Sequence, residues 1–208
     1  MTPATLRRSE RTDQIIRAAG KLFASQGYHG TTTLQIAQNA AVSENTLFRH
    51  FDNKEDLFWT ALRFHLTELK SQFAFLDEIE MCESSEASFP KMLELFSEAA
   101  SCHPEFLRMT AIAFLDMGHK VDAFGQEHLS PLLASICRYL ETNIKAGKLR
   151  DVDPVMAITG LVTTALISQG VLRLIGSDKP VFADHRIVSS AYMRFWLEAL
   201  APPVAKSA

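Results

Sequence analysis

Several residue types are scarce in this 208-residue sequence, and each scarcity excludes a class of protein. Its three cysteines, Cys82, Cys102 and Cys137, form no C-x-x-C pair, which argues against a disulfide framework and fits a reducing compartment. Nine Gly and eight Pro are too few for a fibrous or disordered chain. Residues 1–14 contain no apolar run, so no signal peptide is expected there. A cytoplasmic location is therefore predicted.

Motifs for catalysis and for cofactor binding are also missing. The sequence has no nucleophile motif, no glycine-rich phosphate loop and no dinucleotide fingerprint. The seven histidines form no H-x-x-x-H pair, and Gly118 interrupts the helical spacing of Asp116, His119 and Asp122. We therefore expect neither an enzyme nor a bound metal or cofactor, and we leave open whether a cysteine senses redox state.

Charge is absent from one long stretch, residues 155–172. The stretch is long enough to cross a membrane, but its two glycines and five Thr, Ser and Gln residues oppose insertion. A helix buried in the protein interior or at a subunit interface is therefore predicted, and no membrane contact is expected.

The charges that are present are distributed unevenly. The net charge is −3, yet residues 1–51 hold six Lys and Arg against three Asp and Glu, a balance of +3. The remaining residues hold 15 basic and 21 acidic side chains, a balance of −6. A basic N-terminal part on an acidic body predicts two parts with different partners.

Helical periodicity fills most of the sequence, and no useful length alternates with period two. The first apolar face ends at Gly27, and Thr32 with Gln35 has the pattern of a capping box. Ser43 is expected to cap a short helix over Glu44–His50. We predict an all-α fold of about nine helices.

Prolines and capping residues indicate where the later helices begin and end. Asn53 can cap a fourth helix, and further helices are expected to begin at Pro90 and Pro104. A long helix over about residues 122–146 must be kinked or interrupted at Pro131, because proline lacks the N–H that a helix interior needs. The last two helices are expected to follow Asp153-Pro154 and to cover residues 184–200.

Residues 31–58 have the pattern of two short helices separated by a tight turn at residues 40–42, which is a helix-turn-helix. The exposed face of the second helix then carries polar and aromatic side chains that suit base edges and phosphates. The residues with the spacing to form its small core are Ile36, Ala37, Val42, Leu47 and Phe51.

This stretch resembles the DNA-binding signature of the TetR/AcrR family of bacterial transcriptional regulators. The resemblance covers about residues 12–60, and it implies a DNA-binding domain over residues 1–52 and a helical ligand-binding and dimerisation domain over residues 53–208. The matching features are Leu22-Phe23, Gly27-Tyr28, Thr32-Thr33, Ile36-Ala37, Val42-Ser43, Thr46-Leu47-Phe48, His50-Phe51, Lys54 and Leu57-Phe58.

The candidate contacts to a double-stranded DNA operator lie on and around the two short helices. Thr32 and Ser43 begin helices whose backbone N–H groups can face a phosphate. Lys54 lies at a helix N-terminus, where a cation is unfavourable unless a phosphate compensates it. For each candidate the alternative is a plain helix cap or a solvated surface side chain. The candidates are Thr32, Thr33, Ser43, Asn45, Thr46, Phe48, Arg49, His50 and Lys54.

Two residues depart from the family pattern. Ala41 stands in the turn where the family often has Gly, so a slightly different winding is expected because alanine tolerates a positive φ poorly. Phe48 stands where Tyr is usual, so the phosphate contact of a phenol is lost or replaced by packing on a sugar or a thymine methyl group.

Phenylalanine and methionine are concentrated in residues 70–120, where they can form adaptable apolar walls. The resemblance implies a pocket between these helices for a small apolar or aromatic effector, and ordinary core packing is the alternative. The candidate lining residues are Phe73, Met92, Phe96, Met109, Phe114 and Met117.

A ridge of small side chains, Gly160, Thr164 and Ser168, recurs every four residues and lets another helix pack closely. With the apolar face of the last helix it predicts a four-helix bundle between two subunits, and burial within one subunit is the alternative. The candidate interface residues are Ala157, Gly160, Leu161, Thr164, Ser168, Val188, Tyr192, Phe195 and Trp196.

These features predict a homodimeric transcriptional repressor that binds a near-palindromic operator and is released by a small ligand. Activation instead of repression, and the identities of operator, effector and regulated genes, are left open. The alternative is a helical enzyme or small-molecule carrier that does not bind DNA. The basic N-terminal part and Lys54 favour the regulator, because an enzyme has no need of them.

Overall fold

The computed structural model describes residues 3–73, 103–164 and 185–202, and the regular elements in these ranges are helices, which confirms the predicted all-α fold. The helix expected at Pro90 lies outside the described residues. So do these residues from the sequence predictions: Cys82, Met92, Phe96, Cys102 and Ser168.

The helices are numbered here in chain order. The bounds are α1 Pro3–Gly30, α2 Thr33–Asn39, α3 Glu44–Leu47, α4 Lys54–Phe73, α5 Pro104–Asp116, α6 Lys120–Phe124, a π-helical turn Gly125–Leu129, α7 Ser130–Lys145, α8 over residues 154–164 and α9 His185–Leu200.

Glycines end two helices where the sequence predicts it. Gly27 has φ 78° and ψ 171°, a backbone conformation that favours glycine, and it interrupts the regular helix of α1. Thr31 closes the following turn by donating from Oγ1 to the Gly27 carbonyl oxygen at 2.8 Å. Gly147, with φ 69°, follows α7 in the same way. The predicted ends at both glycines are confirmed.

Side-chain caps begin the helices as expected. Gln35 donates its backbone N–H to Thr32 Oγ1 at 3.2 Å and accepts from the Thr32 N–H at 2.8 Å, which completes the capping box of α2. Asn53 Oδ1 accepts from the Asp56 N–H at 2.9 Å, and Asp153 Oδ1 accepts from the Met156 N–H at 2.9 Å. The predicted caps of α4 and α8 are therefore confirmed.

The interruption expected at Pro131 is the π-helical turn between α6 and α7. α7 begins at Ser130, so Pro131 lies in its first turn, where the missing N–H has no helical partner to lose. The single long helix is thus replaced by two helices joined through one wider turn.

The residues of the chain form two compact units, each defined by the contacts among its own residues. In its described part the first holds residues 3–68 and 103–121, where α1 packs against α5 and α2 against α3. The second holds residues 69–73, 122–164 and 185–202, and in it the Arg150 N–H donates to the Leu200 carbonyl oxygen at 2.9 Å. The domain boundary between residues 52 and 53 stays a prediction.

Candidate DNA-binding site

The helix-turn-helix has the small apolar core that its sequence predicts. Ile36 and Ala37 of α2 are buried, and so are Leu47 of α3 and Phe51 just beyond it, while Val42 in the turn is half-buried. This core fixes the inward faces of both short helices. It leaves their outward faces to solvent.

The turn after α2 keeps a left-handed residue although that residue is alanine. The Ala41 N–H donates to the Gln38 carbonyl oxygen at 3.1 Å, and the Val42 N–H donates to that of Ala37 at 2.9 Å. This pair of bonds is a Schellman motif, which requires a positive φ at Ala41, and φ there is 50°. The different winding that we expected is therefore wrong, because the motif imposes the strain on alanine.

The second helix of the motif, α3, is shorter than predicted. Ser43 caps it, accepting from the Thr46 N–H at 3.1 Å, but the α-helix covers Glu44–Leu47 and does not extend to His50. Beyond Leu47 the chain tightens: the Arg49 N–H donates to the Thr46 carbonyl oxygen at 3.2 Å and the His50 N–H to that of Leu47 at 2.9 Å. These bonds to the third residue back are the tighter turns with which helices often end.

The outward face of this segment carries Asn45, Phe48 and Arg49. All three side chains are exposed, Phe48 to 47%. Asn45 and Arg49 are four residues apart, so they are neighbours along one face. An amide, a guanidinium and an apolar ring are thus presented together, away from the core.

Other candidate side chains are already hydrogen-bonded within the protein. Thr33 Oγ1 donates to Glu44 Oε1, which joins the first turns of α2 and α3. His50 Nδ1 lies 2.9 Å from Thr12 Oγ1 on α1. The Thr46 and Ser43 hydroxyl oxygens are 2.8 Å apart. Sequence reasoning missed the partners Thr12 and Glu44, because only the packing of the helices brings them near.

The positive charge of Lys54 is compensated by groups within the protein. Its Nζ donates to the carbonyl oxygens of Tyr28 at 3.0 Å and Thr31 at 3.1 Å, and it lies 4.4 Å from the centre of the Tyr28 ring. We expected a DNA phosphate to offset the cation at the start of α4, and these carbonyls and this ring supply that compensation. A contact between Lys54 and DNA stays a prediction.

The next residue of α4, Glu55, joins the same region to the start of α6. Lys120 Nζ donates to both Glu55 oxygens, at 2.7 and 2.8 Å, and these bonds are the main cause that lowers the pKa of Glu55. Trp59 Nε1 donates to Glu55 Oε1 at 3.3 Å. The N-terminal turn of α4 is therefore held from both sides within the first unit.

The predicted effector pocket is described only in part. Met109 is fully buried, Met117 is half-buried and Phe114 is 53% exposed. The side chain of Phe73 and the residues Met92 and Phe96 lie outside the description. The pocket therefore stays a prediction.

The small-residue ridge of α8 packs on a helix of its own chain. Ala157 and Leu161 are buried, and a methyl group on Gly160 would lie 2.5 Å from Cη2 of Trp196 in α9. Thr164 Oγ1 donates to the Gly160 carbonyl oxygen at 2.7 Å. The space beside Gly160 is thus occupied by Trp196 of the same subunit.

The exposed apolar side chains of these two helices differ from most of the predicted set. Phe195 is 60% exposed, whereas Tyr192 and Trp196 are half-buried, and the Val188 side chain lies outside the description. On the described part of α8 the exposed apolar residues are Val155 and Met156, which are not among the predicted interface residues. The dimer interface stays a prediction, and exposed Val155 and Met156 join Phe195 among its candidates.

Sites of other kinds are not prominent in the described ranges. There, no three His, Cys, Asp or Glu side chains come together as a metal site, and no helix is long and apolar enough to cross a membrane. Burial raises the pKa of the Cys137 thiol, which opposes formation of the reactive thiolate.

Known proteins match this arrangement. Residues 15–59 match the family model described as bacterial regulatory proteins, tetR family. The transcriptional regulator HbdR of an Aromatoleum species is 48% identical over 54 residues, which span 26% of this chain and 24% of HbdR. The transcriptional repressor KstR2 of Rhodococcus jostii is 27% identical over 98% of this chain and 99% of its own length.

Solved structures are similar to this chain over most of its length. The ketosteroid transcriptional regulator KstR2 of Mycobacterium tuberculosis superposes with a TM-score of 0.68, at 20% identity, over 94% of this chain and 95% of its own. Residues 15–59 therefore match the helix-turn-helix of the tetR family of bacterial regulatory proteins, and the all-helical fold is similar to that of a solved transcriptional regulator.

Proposed function

We propose that this regulator is a cytoplasmic homodimer that represses transcription by binding a near-palindromic operator, and that a small apolar or aromatic effector releases it. The observation that carries the proposal is the outward face of α3 and its following turn, with Asn45, Phe48 and Arg49 exposed. The likeness to a named repressor along nearly the whole chain supports repression.

Each exposed side chain has a chemical partner in the major groove. The Arg49 guanidinium can donate two hydrogen bonds to O6 and N7 of a guanine, and the Asn45 amide can pair with N6 and N7 of an adenine. Phe48 offers an apolar surface to a thymine methyl group. The capped first turns of α2 and α3 direct backbone N–H groups toward phosphates on either side.

The effector class follows from composition and from one relative. The predicted pocket residues are phenylalanine and methionine, which provide apolar contacts that adapt to bulky ligands. The related structure from Mycobacterium tuberculosis is named for ketosteroids, and this name supports an apolar effector for the present chain. Release requires that the effector bind more tightly to the form that does not fit DNA.

Selection of DNA fragments by the purified protein tests operator binding. We expect a two-fold related sequence with half-sites about one helical turn apart, ~34–36 Å. Arg49→Ala should weaken binding to that sequence about 5- to 150-fold, which corresponds to ~1–3 kcal/mol. Arg63→Ala, which removes an exposed arginine from α4, is the matched control and should leave affinity unchanged.

Two results would count against this proposal. If no sequence is enriched, the helical enzyme or carrier gains support. If Arg49→Ala selects the same sequence with unchanged affinity, the outward face of α3 does not contact bases.

The effector is tested by repeating the selection with panels of apolar and of strongly ionic compounds, of which only the apolar panel should release DNA.

A further inference from the structure

A close approach of α1 and α4 occurs at Gly20 and His65. A methyl group added to Gly20 would overlap Nε2 of His65, so a larger residue at this point of α1 would displace the ring. Glycine is a poor residue for a helix interior, because it gives the unfolded chain extra freedom. The close packing of the His65 ring explains the glycine at this position within α1.

His65 is buried with one ring nitrogen unsatisfied. The residue is 7% exposed, and its Nδ1 lies 3.4 Å from Glu68 Oε2. Among the residues that the structure describes, Nε2 has no hydrogen-bond partner. The arrangement fits a neutral ring that carries its hydrogen on Nδ1 and turns the bare Nε2 toward Gly20.

The charged groups around His65 act in opposite directions. Glu68 on α4 and Glu105 on α5 favour the protonated ring, whereas His103 opposes it. Arg17 on α1 also engages Glu68, with Nη2 3.1 Å from Oε1. Burial outweighs the two carboxylates and lowers the pKa of His65 from its ordinary value.

We propose that the contact between His65 and Gly20 is a proton-sensitive device, which holds α1 against α4 while the ring is neutral and loosens this packing in acid. Protonation places a hydrogen on Nε2, where the Gly20 backbone lies and no acceptor is available. The charged ring must then leave its buried position. Because α1 and α4 flank the helix-turn-helix in the first unit, the same change weakens DNA binding.

The direction in which stability changes with pH follows from the linkage between protonation and folding. The pKa is lower in the folded chain than the value of about 6.5 for an unfolded one, so this contribution to stability is complete above that pH. It is lost as the pH falls below about 6.5. Each unit of difference between the two pKa values reduces the folded-to-unfolded ratio about tenfold in acid.

The direct test combines two measurements. The histidine rings are titrated by NMR, and the free energy of unfolding is measured in urea at pH 7.5 and at pH 5.5. We expect the His65 ring to titrate below about 6.5, the ordinary value for histidine. We also expect His65→Gln to lose less stability between the two pH values than the unchanged chain, while His29→Gln behaves like the unchanged chain. A His65 ring that titrates at or above about 6.5 would overturn the proposal.

Two further variants test the contact itself. Gly20→Ala should lower the midpoint of unfolding at both pH values, although alanine is the better helix former. Gly125→Ala, where an added methyl group meets nothing within 4 Å, is the control and should not lower it. If His65→Gln fails to fold, His65→Phe and the titration of the unchanged chain carry the test.

DNA affinity is a second readout, and it alone depends on the proposed function. With a selected operator, we expect affinity to fall more steeply from pH 7.5 to 5.5 for the unchanged chain than for His65→Gln. Equal pH dependence of DNA binding, alongside the expected unfolding results, would show that the device acts on stability and not on DNA. Equal pH dependence of unfolding in both chains would contradict the device itself.

Discussion

At the scale of single residues, Lys54 holds the end of α1 to the start of α4. Its ammonium group satisfies two backbone carbonyls, and replacement by Met would leave both without this charged donor. We predict that Lys54→Met lowers the free energy of unfolding by about 1–3 kcal/mol in urea titrations. Lys21→Met, on the exposed surface of α1, should change it little.

The same variant separates support of the fold from contact with DNA. If Lys54 also touches a phosphate, the slope of log affinity against log salt should fall by about one in Lys54→Met. An unchanged slope with lowered stability would assign Lys54 to the fold alone.

Ala41 is a second residue at which a substitution should change the free energy of unfolding, because its backbone is left-handed. A left-handed conformation is unfavourable for alanine by about 1–2 kcal/mol, and glycine is free of this strain although its unfolded chain has more freedom. We therefore predict that Ala41→Gly raises the free energy of unfolding, by about 1 kcal/mol. Ala146→Gly, at an exposed alanine with φ −78°, should lower it. Equal effects at the two sites would contradict this account.

At the scale of elements, α3 depends on its cap because it contains four residues. Ser43→Ala removes the acceptor for the Thr46 N–H and should cost about 1 kcal/mol of stability. Ser43→Asp keeps an acceptor there but adds a negative charge, so we expect near-normal stability and weakened DNA binding. Normal DNA binding by Ser43→Asp would place Ser43 away from the phosphates.

The beginnings of helices were predictable from sequence because the deciding atoms are local. Thr32 with Gln35, Asn53 and Asp153 each cap a residue three positions away. The end of α3 was not predictable in this way, since no glycine or proline marks it.

The internal partners of Lys54 and Gly160 were not predictable either. The acceptors of Lys54 and the ring against Gly160 lie 23 to 36 positions away in sequence, and only packing brings them together.

At the scale of the whole molecule, the exposed apolar residues of α8 and α9 predict how two copies associate. Met156 is 73% exposed and Phe195 is 60% exposed, and burial of such side chains between subunits would stabilise a dimer. We predict that Met156→Glu and Phe195→Glu shift sedimentation toward the monomer without loss of helicity. A dimer that persists in both variants would place the interface elsewhere.

Gly160→Leu, by contrast, should disturb the folding of the chain itself. The larger side chain collides with Trp196 of the same subunit, so lowered stability is expected even in dilute monomer. Measurement of unfolding at several protein concentrations distinguishes this effect from loss of a dimer.

The bond between His50 and Thr12 limits how far the DNA-contacting segment can be transplanted. The conformation of residues 44–50 depends on hydrogen bonds at both ends. Ser43 caps the first turn, and His50 lies against the hydroxyl of Thr12 on α1, which is 38 positions earlier in the sequence. A chimaera that receives only this heptapeptide would inherit the side chains and not their orientation. A swap of operator preference with another regulator would therefore have to exchange Thr12 together with the segment.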